Sequence, residues 1–207
     1  SMLNEKDKIG LADLYKRSSL TLLVVSAIIF ILILVNLNQL YRLIPEEYQI
    51  STVIVLLISL VKLYDNMLGN NNSILFNSDY YRLVLVFGVF LAILAFVFNL
   101  WLIPEFGILG AAIATFLAFF IYNTSKIFIV LNKFQMHPFS LKTLKILLFS
   151  AMLIFGFYFW EFGFHPIINI ILKSGIVSVI YLVVALKFNF SEDVTVMVSK
   201  YLKRKTL

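Results

Sequence analysis

Residues 99–115 read N-L-W-L-I-P-E-F-G-I-L-G-A-A-I-A-T. The stretch is the end of one apolar helix, a tight corner, and the start of another. Pro104 lacks an N–H and biases Ile103 away from helical geometry, so the first helix is expected to stop there. Gly107 then permits a sharp re-entry. From that corner Gly107, Gly110, Ala111, Ala114 and Ala118 recur at three- and four-residue spacing, which sets a strip of small residues on one helix face. Such a strip lets a neighbouring helix approach to backbone contact, and plain helix packing accounts for any one of these residues taken alone.

The composition says what solvent the helices meet. Hydrophobic residues make up 61% of the 207-residue chain and charged residues 14%, with a mean hydropathy of +0.97. A soluble domain sits near half apolar and a quarter charged. No water-soluble fold of this length hides so much apolar surface, so the chain is expected to be an integral membrane protein. It has no cysteine, which excludes thiolate metal sites, disulfides and cysteine nucleophiles. A net charge of +6 would point to nucleic acid in a soluble protein. Here the charges must first be assigned to sides of a membrane, and no nucleic-acid partner is expected.

Residues 1–17 are polar and mixed in charge, carrying Glu5, Lys6 and Asp7, with Leu11, Leu14 and Tyr15 marking a short interfacial helix. Residues 18–190 then hold six apolar runs, at about 20–40, 48–68, 83–102, 107–131, 141–162 and 167–186. Each approaches the roughly 20 residues that cross about 30 Å of hydrocarbon. The first run is too long for a signal-peptide core, and no small-residue cleavage site follows it. Because the runs are continuous rather than alternating, they read as helices and not as barrel strands. Residues 191–207 read as a basic amphipathic surface helix. Ser191 caps it, Glu192 and Asp193 fill the first turn, and Val194, Met197, Val198 and Tyr201 share a face. Lys200, Lys203, Arg204 and Lys205 favour an anionic leaflet, though the last few residues read equally as a solvated tail.

Six spans put both termini on one side. All Lys and Arg except Arg42 and Lys173 then fall on the terminal segments, on the even connections, or at helix ends facing them. The odd connections carry Glu46, Glu47, Glu105 and Glu161 instead. By the positive-inside rule both termini are expected in the cytoplasm. The short odd connections leave no room for an external catalytic domain.

No metalloprotease, nucleophile-elbow, P-loop or dinucleotide motif is present, and His137 and His165 fall on opposite sides of this map. No enzyme activity, metal or cofactor is expected. Asn123-Thr124-Ser125 matches a glycosylation sequon, but inside a span it reads as chance. The remaining signals are polar groups within spans. Lys173 lies about two turns into the last span, where a lysine costs about 3 kcal/mol on insertion scales. Its stem either snorkels to the outer interface or presents a cation to a cavity that accepts an anionic headgroup. Lys62 and Asp65 share a helix face near the cytoplasmic end, and an interfacial ion pair is the simpler account of them. Asn66, Asn99 and Asn123 either line a polar passage or bond across helices, and Asn99 is also placed to cap backbone groups at the Pro104 corner.

The string of residues 99–115 resembles the most recurrent stretch in the second half of polysaccharide flippases, the Wzx-like branch of the MATE/MOP exporter superfamily. Residues 6–19, K-D-K-I-G-L-A-D-L-Y-K-R-S-S, look like the cytoplasmic connection before that family's ninth helix. N-L-N-Q-L-Y-R-L-I-P-E-E-Y after the first span and N-S-D-Y-Y-R before the third are also similar. The resemblance covers essentially the whole chain. It implies an all-α integral membrane fold in which six transmembrane helices form the second lobe plus the terminal helix pair of a fourteen-helix MOP-type flippase. It implies an N-terminal lobe as a missing partner, and the cations that family members carry in that lobe have no counterpart here. The implied function is to move undecaprenyl-pyrophosphate-linked oligosaccharides, the polyprenyl-pyrophosphate-linked glycans of surface polysaccharide such as O-antigen, from the inner to the outer leaflet. A charged, hydroxylated headgroup cannot cross hydrocarbon without a polar cavity to replace its water. A MATE-type small-molecule exporter would share the architecture but lacks this corner and the extra helix pair. A membrane polymerase or ligase of the same pathway usually needs a larger external loop.

Overall fold

In the computed structural model of the chain, residues 8–49 and 51–204 are described, with the side chains of residues 48 and 201–204 outside that description. Glu5, Lys6, Asp7 and Lys205, and the side chains of Tyr201, Lys203 and Arg204, therefore lie outside the described residues. All elements among those described are helical: α1 (Lys8–Tyr41), a 3-10 turn (Glu46–Tyr48), α2 (Thr52–Met67), α3 (Asn71–Phe76), α4 (Tyr81–Phe134), α5 (Leu141–Tyr158), α6 (Pro166–Lys187) and α7 (Glu192–Arg204). Four of them, α1, α4, α5 and α6, are long and apolar enough to cross a membrane. The protein is therefore all-helical, with the makings of a multi-pass membrane protein.

Four boundaries differ from the sequence reading, the simplest being α5, which ends at Tyr158 and not near 162. The interfacial segment and the first apolar run are one helix of 34 residues, about 51 Å at about 1.5 Å per residue. Nothing in Arg17-Ser18-Ser19 breaks it. Ser18 turns its hydroxyl back onto the carbonyl of Tyr15 at 3.0 Å, and Ser19 donates outward to the carbonyl of Met67 at 2.6 Å. The second run shrinks to the 16 residues of α2, because the 3-10 turn that follows Pro45 takes in Tyr48, its expected start. At the corner, Ile103 and Pro104 stay helical, and the break falls on Gly107 at φ 57°, ψ −132°. Pro104 is tolerated because it sits in the last turn before the break, where removing one N–H forfeits one bond instead of opening the middle of a ladder. Only glycine adopts the Gly107 conformation without strain.

The chain divides into two compact units, one of Ser1–Ser19 with Val53–Phe139 and one of Leu20–Thr52 with Ser140–Leu207. In the first, Leu11, Tyr15, Ile74, Leu75, Val130 and Met136 form a buried cluster. The turn after α2 presses on α1 there. Gly69 has φ +54°, and a Cβ on it would lie 2.6 Å from the Ser19 nitrogen. Asn70 donates its N–H to Ser18 Oγ at 3.1 Å, and Asn71 donates from Nδ2 to Tyr15 Oη at 2.8 Å.

In the second unit, two rows of buried residues recur every four positions, the spacing that keeps side chains on one helix face. On α1 the row is Leu23, Ala27, Ile31, Val35 and Gln39. On α6 it is Asn169, Lys173, Val177, Tyr181 and Ala185. Tyr181 donates to the carbonyl of Val24 at 2.9 Å, and Lys173 to that of Val35 at 3.0 Å, so the two helices run antiparallel. Their ends are fixed locally. Ser140 and Thr143 form a capping box on α5, and Pro166 occupies the first turn of α6 behind a His165 cap. Ser191 Oγ accepts the Val194 N–H at the start of α7.

Candidate functional site

Each buried row of the second unit is apolar along most of its length and polar at one end. On α6 the polar end comes first, with Asn169 and Lys173; on α1 it comes last, with Gln39 beside Asn36. The antiparallel run brings these ends together. Lys173 is 0% exposed and its Nζ donates to Val35 O at 3.0 Å, so it neither snorkels nor stands free. One residue along, Asn36 Nδ2 donates to Ser174 Oγ at 2.9 Å and to Leu32 O at 2.9 Å. One turn further along α1 and one turn back along α6, the same register sets Gln39 opposite Asn169. Both are 0% exposed. Asn169 donates from Nδ2 to Phe162 O at 2.9 Å. Asn36 Oδ1, Asn169 Oδ1 and both amide atoms of Gln39 are buried with no hydrogen-bond partner among the described residues.

That concentration is chemically unusual. An unpaired buried polar atom costs about 1–3 kcal/mol, and lipid offers no relief. The ammonium of Lys173 has three donors, of which the Val35 bond uses one. Just beyond Gln39, Arg42 Nη2 donates to Glu161 Oε2 at 2.8 Å, so those two charges offset each other. The arrangement can present one cation, an amide donor and several acceptors to a group that displaces water.

The first unit holds a smaller set. Asn123 is 0% exposed with both amide atoms unpartnered among the described residues. One turn on, Lys126 is 2% exposed, lies 4.2 Å above the Tyr122 ring centroid, and donates to Asn72 Oδ1 at 3.2 Å. On α4, side chains that include Phe87, Phe90, Phe120, Thr124, Ser125 and Phe128 line an apolar groove of about 620 Å³. The hydroxyls there bond elsewhere: Thr124 and Ser125 donate to carbonyls of their own helix.

The other sequence candidates separate. Lys62 and Asp65 are both exposed and form no ion pair among the described residues. Lys ahead of Asp is the weaker order on a helix, and two exposed heads keep their solvation instead. Asn66 is half-buried at the end of α2, where its carbonyl accepts the Gly69 N–H at 3.1 Å. Asn99 does not cap the corner; its Nδ2 bonds Ala95 O at 2.7 Å, one turn back in its own helix. At the corner itself, a Cβ on Gly110 would land on the carbonyl of Leu102, with the carbonyl carbon at 2.6 Å. Gly110 therefore lets the arm before the break lie against the arm after it. Ala114 and Ala118 continue the same buried row toward Lys126 and Val130, while Ala111 is half-buried and Pro104 and Gly107 are exposed.

Sequence reading passed over Gln39, Asn169 and Lys126. The signal for the first two was present: a polar residue four positions from Lys173 or Val35, on the face that buries. Lys126 looked like one more cytoplasmic-end cation because its burial depends on α3 folding back beside it. Among the described residues no group of three or more His, Asp and Glu could hold a metal ion. The chain matches no protein-family model, no curated protein and no solved structure.

Proposed function

We propose that this chain is part of a flippase that carries lipid-linked oligosaccharides from the inner to the outer leaflet of a bacterial inner membrane, without chemical change to them. The stretch at residues 99–115 supports this class. The observation that carries the reading is Lys173, a fully buried ammonium inside a helix of membrane-spanning length. An ionisable group at such depth is expensive, and lining a substrate path is its usual compensation. In this reading the chain crosses six times, with α2 as a short span and α4 as two spans bent at Gly107. The termini face the cytoplasm, following the placement of Lys and Arg. A further lobe completes the cavity, and the polyprenyl tail stays in lipid while the headgroup passes.

Deleting the gene in its host tests this. The reading expects surface polysaccharide to disappear and its lipid-linked precursor to accumulate with glycan reachable by an impermeant oxidising probe only after permeabilisation. Restoring the gene reverses both. Intact surface polysaccharide with new sensitivity to toxic organic cations would replace this reading with a small-molecule exporter. Surface glycans of single-repeat length would replace it with a polymerase.

A further inference from the structure

The flippase reading says nothing about what the polar end of the α1–α6 seam recognises, and its chemistry is specific enough to say. We infer that Asn36, Gln39, Asn169 and Lys173 form a binding site for a singly charged oxyanion on a hydroxylated framework, of which a sugar carboxylate is the simplest example.

Three observations carry this. First, charge: the Arg42–Glu161 pair offsets itself, so the seam's own charge is the single positive charge of Lys173. One buried cation matches one negative charge. Second, hydrogen bonding: the unpartnered atoms of these four residues are Asn36 Oδ1, Asn169 Oδ1, Gln39 Oε1 and Gln39 Nε2, three acceptors and one amide donor, and Tyr41 Oη at the same end of α1 is unpartnered as well. A bare anion has only acceptors and would leave the three amide oxygens unpaired. Hydroxyls donate, and a framework bearing them next to its charge satisfies both sets. Third, placement: the atoms cluster at one end of two otherwise apolar rows, while the rest of each row is closed by Leu, Val, Ile, Ala and Tyr. Asn36 and Asn169 spend their Nδ2 donors on Ser174 and Phe162, which leaves their oxygens and the whole Gln39 amide for a ligand.

The inference rests on the flippase reading only for the side from which the ligand arrives; binding itself is measured without transport. Purified full-length chain in lipid nanodiscs is titrated calorimetrically with glucuronate, glucose and acetate. Glucuronate is expected to bind saturably. Glucose, which has the hydroxyls without the charge, and acetate, which has the charge without the hydroxyls, are each expected to bind at least tenfold more weakly. Gln39→Leu and Asn169→Leu each weaken glucuronate at least tenfold, and Lys173→Met abolishes its advantage over glucose. No saturable glucuronate binding overturns the inference. So does acetate binding as tightly as glucuronate, or glucuronate affinity unchanged in both amide variants. The three probes on the wild-type chain stand independently of how any variant folds. Loss of the gene's surface glycan together with failure to bind glucuronate would leave the flippase reading in place and remove this one.

Discussion

Lys173 on α6 reaches the backbone of α1, donating from Nζ to the carbonyl of Val35 at 3.0 Å with no exposed surface. The bond joins two helices of the second unit through a charge that lipid-facing sequence would exclude.

That bond gives a separation of stability from activity. Met has a similar length and volume and removes the buried charge, and apolar replacement of buried charges is often neutral or stabilising. Lys173→Met is expected to leave the thermal midpoint unchanged or raised, while delivery of lipid-linked glycan to the outer leaflet falls at least tenfold. Thermal unfolding in nanodiscs and the surface-glycan assay read the two effects. A purely structural lysine would lose stability and keep delivery in proportion to folded protein.

The corner in α4 gives a graded series of glycine substitutions. Gly110→Ala drives a methyl into the Leu102 carbonyl and is expected to cost about 3 kcal/mol or more. Gly107→Ala meets open space but must hold φ 57°, ψ −132°, at about 1–3 kcal/mol. Gly88→Ala in the preceding arm meets nothing within 4 Å and gains helix propensity, up to about 1 kcal/mol. Unfolding in mixed micelles at increasing SDS ranks the three. Equal effects would mean that the corner does not close on Gly110.

In the first unit the contact of Gly69 with Ser18 and Ser19 behaves as a single joint. Gly69→Ala meets a left-handed φ and a 2.6 Å contact together, so it is expected to cost more than about 2 kcal/mol. Ser19→Ala removes only the 2.6 Å bond to Met67 O, about 1 kcal/mol. The same SDS titration measures both, and hydrogen exchange at residues 68–76 should rise most in the glycine variant.

Arg42 and Glu161 supply the contrast. Their side chains are 56% and 30% exposed, so a double-mutant cycle over Arg42→Ala and Glu161→Ala should give a coupling of about 0.2–1 kcal/mol that fades with salt. A coupling above about 2 kcal/mol would mean that the pair is desolvated.

What could be read in advance follows from which physical signal is local. Apolar run length and the Ser191 cap depend on nearby residues, and these the sequence announces; the Ser140 capping box and Pro166 in the first turn of α6 emerge only in the structure. The Gly107 break was legible as a corner, but which of Pro104 and Gly107 bends was not. A proline can finish a helical turn, and the choice depends on whether Leu102 can rest on Gly110. Continuity of α1 through Ser18 was hidden for a related reason: its serines bond partners at Tyr15 and Met67 instead of ending the helix. Lys173 was visible as an anomaly, yet its partner Val35 is an unremarkable valine used through its backbone. Gln39 and Asn169 matter only because their rows are buried and antiparallel, which a single helix cannot disclose.

Since the chain has no cysteine, single substitutions report their own surroundings on a clean background. The most direct measurement is labelling of Glu46→Cys, Glu105→Cys, Lys133→Cys and Lys200→Cys with an impermeant maleimide on intact and on permeabilised cells. The account predicts that positions 46 and 105 react on intact cells, and that positions 133 and 200 react only after permeabilisation. Finding 46 and 133 open to the same compartment, or 105 on the same side as 200, would contradict it.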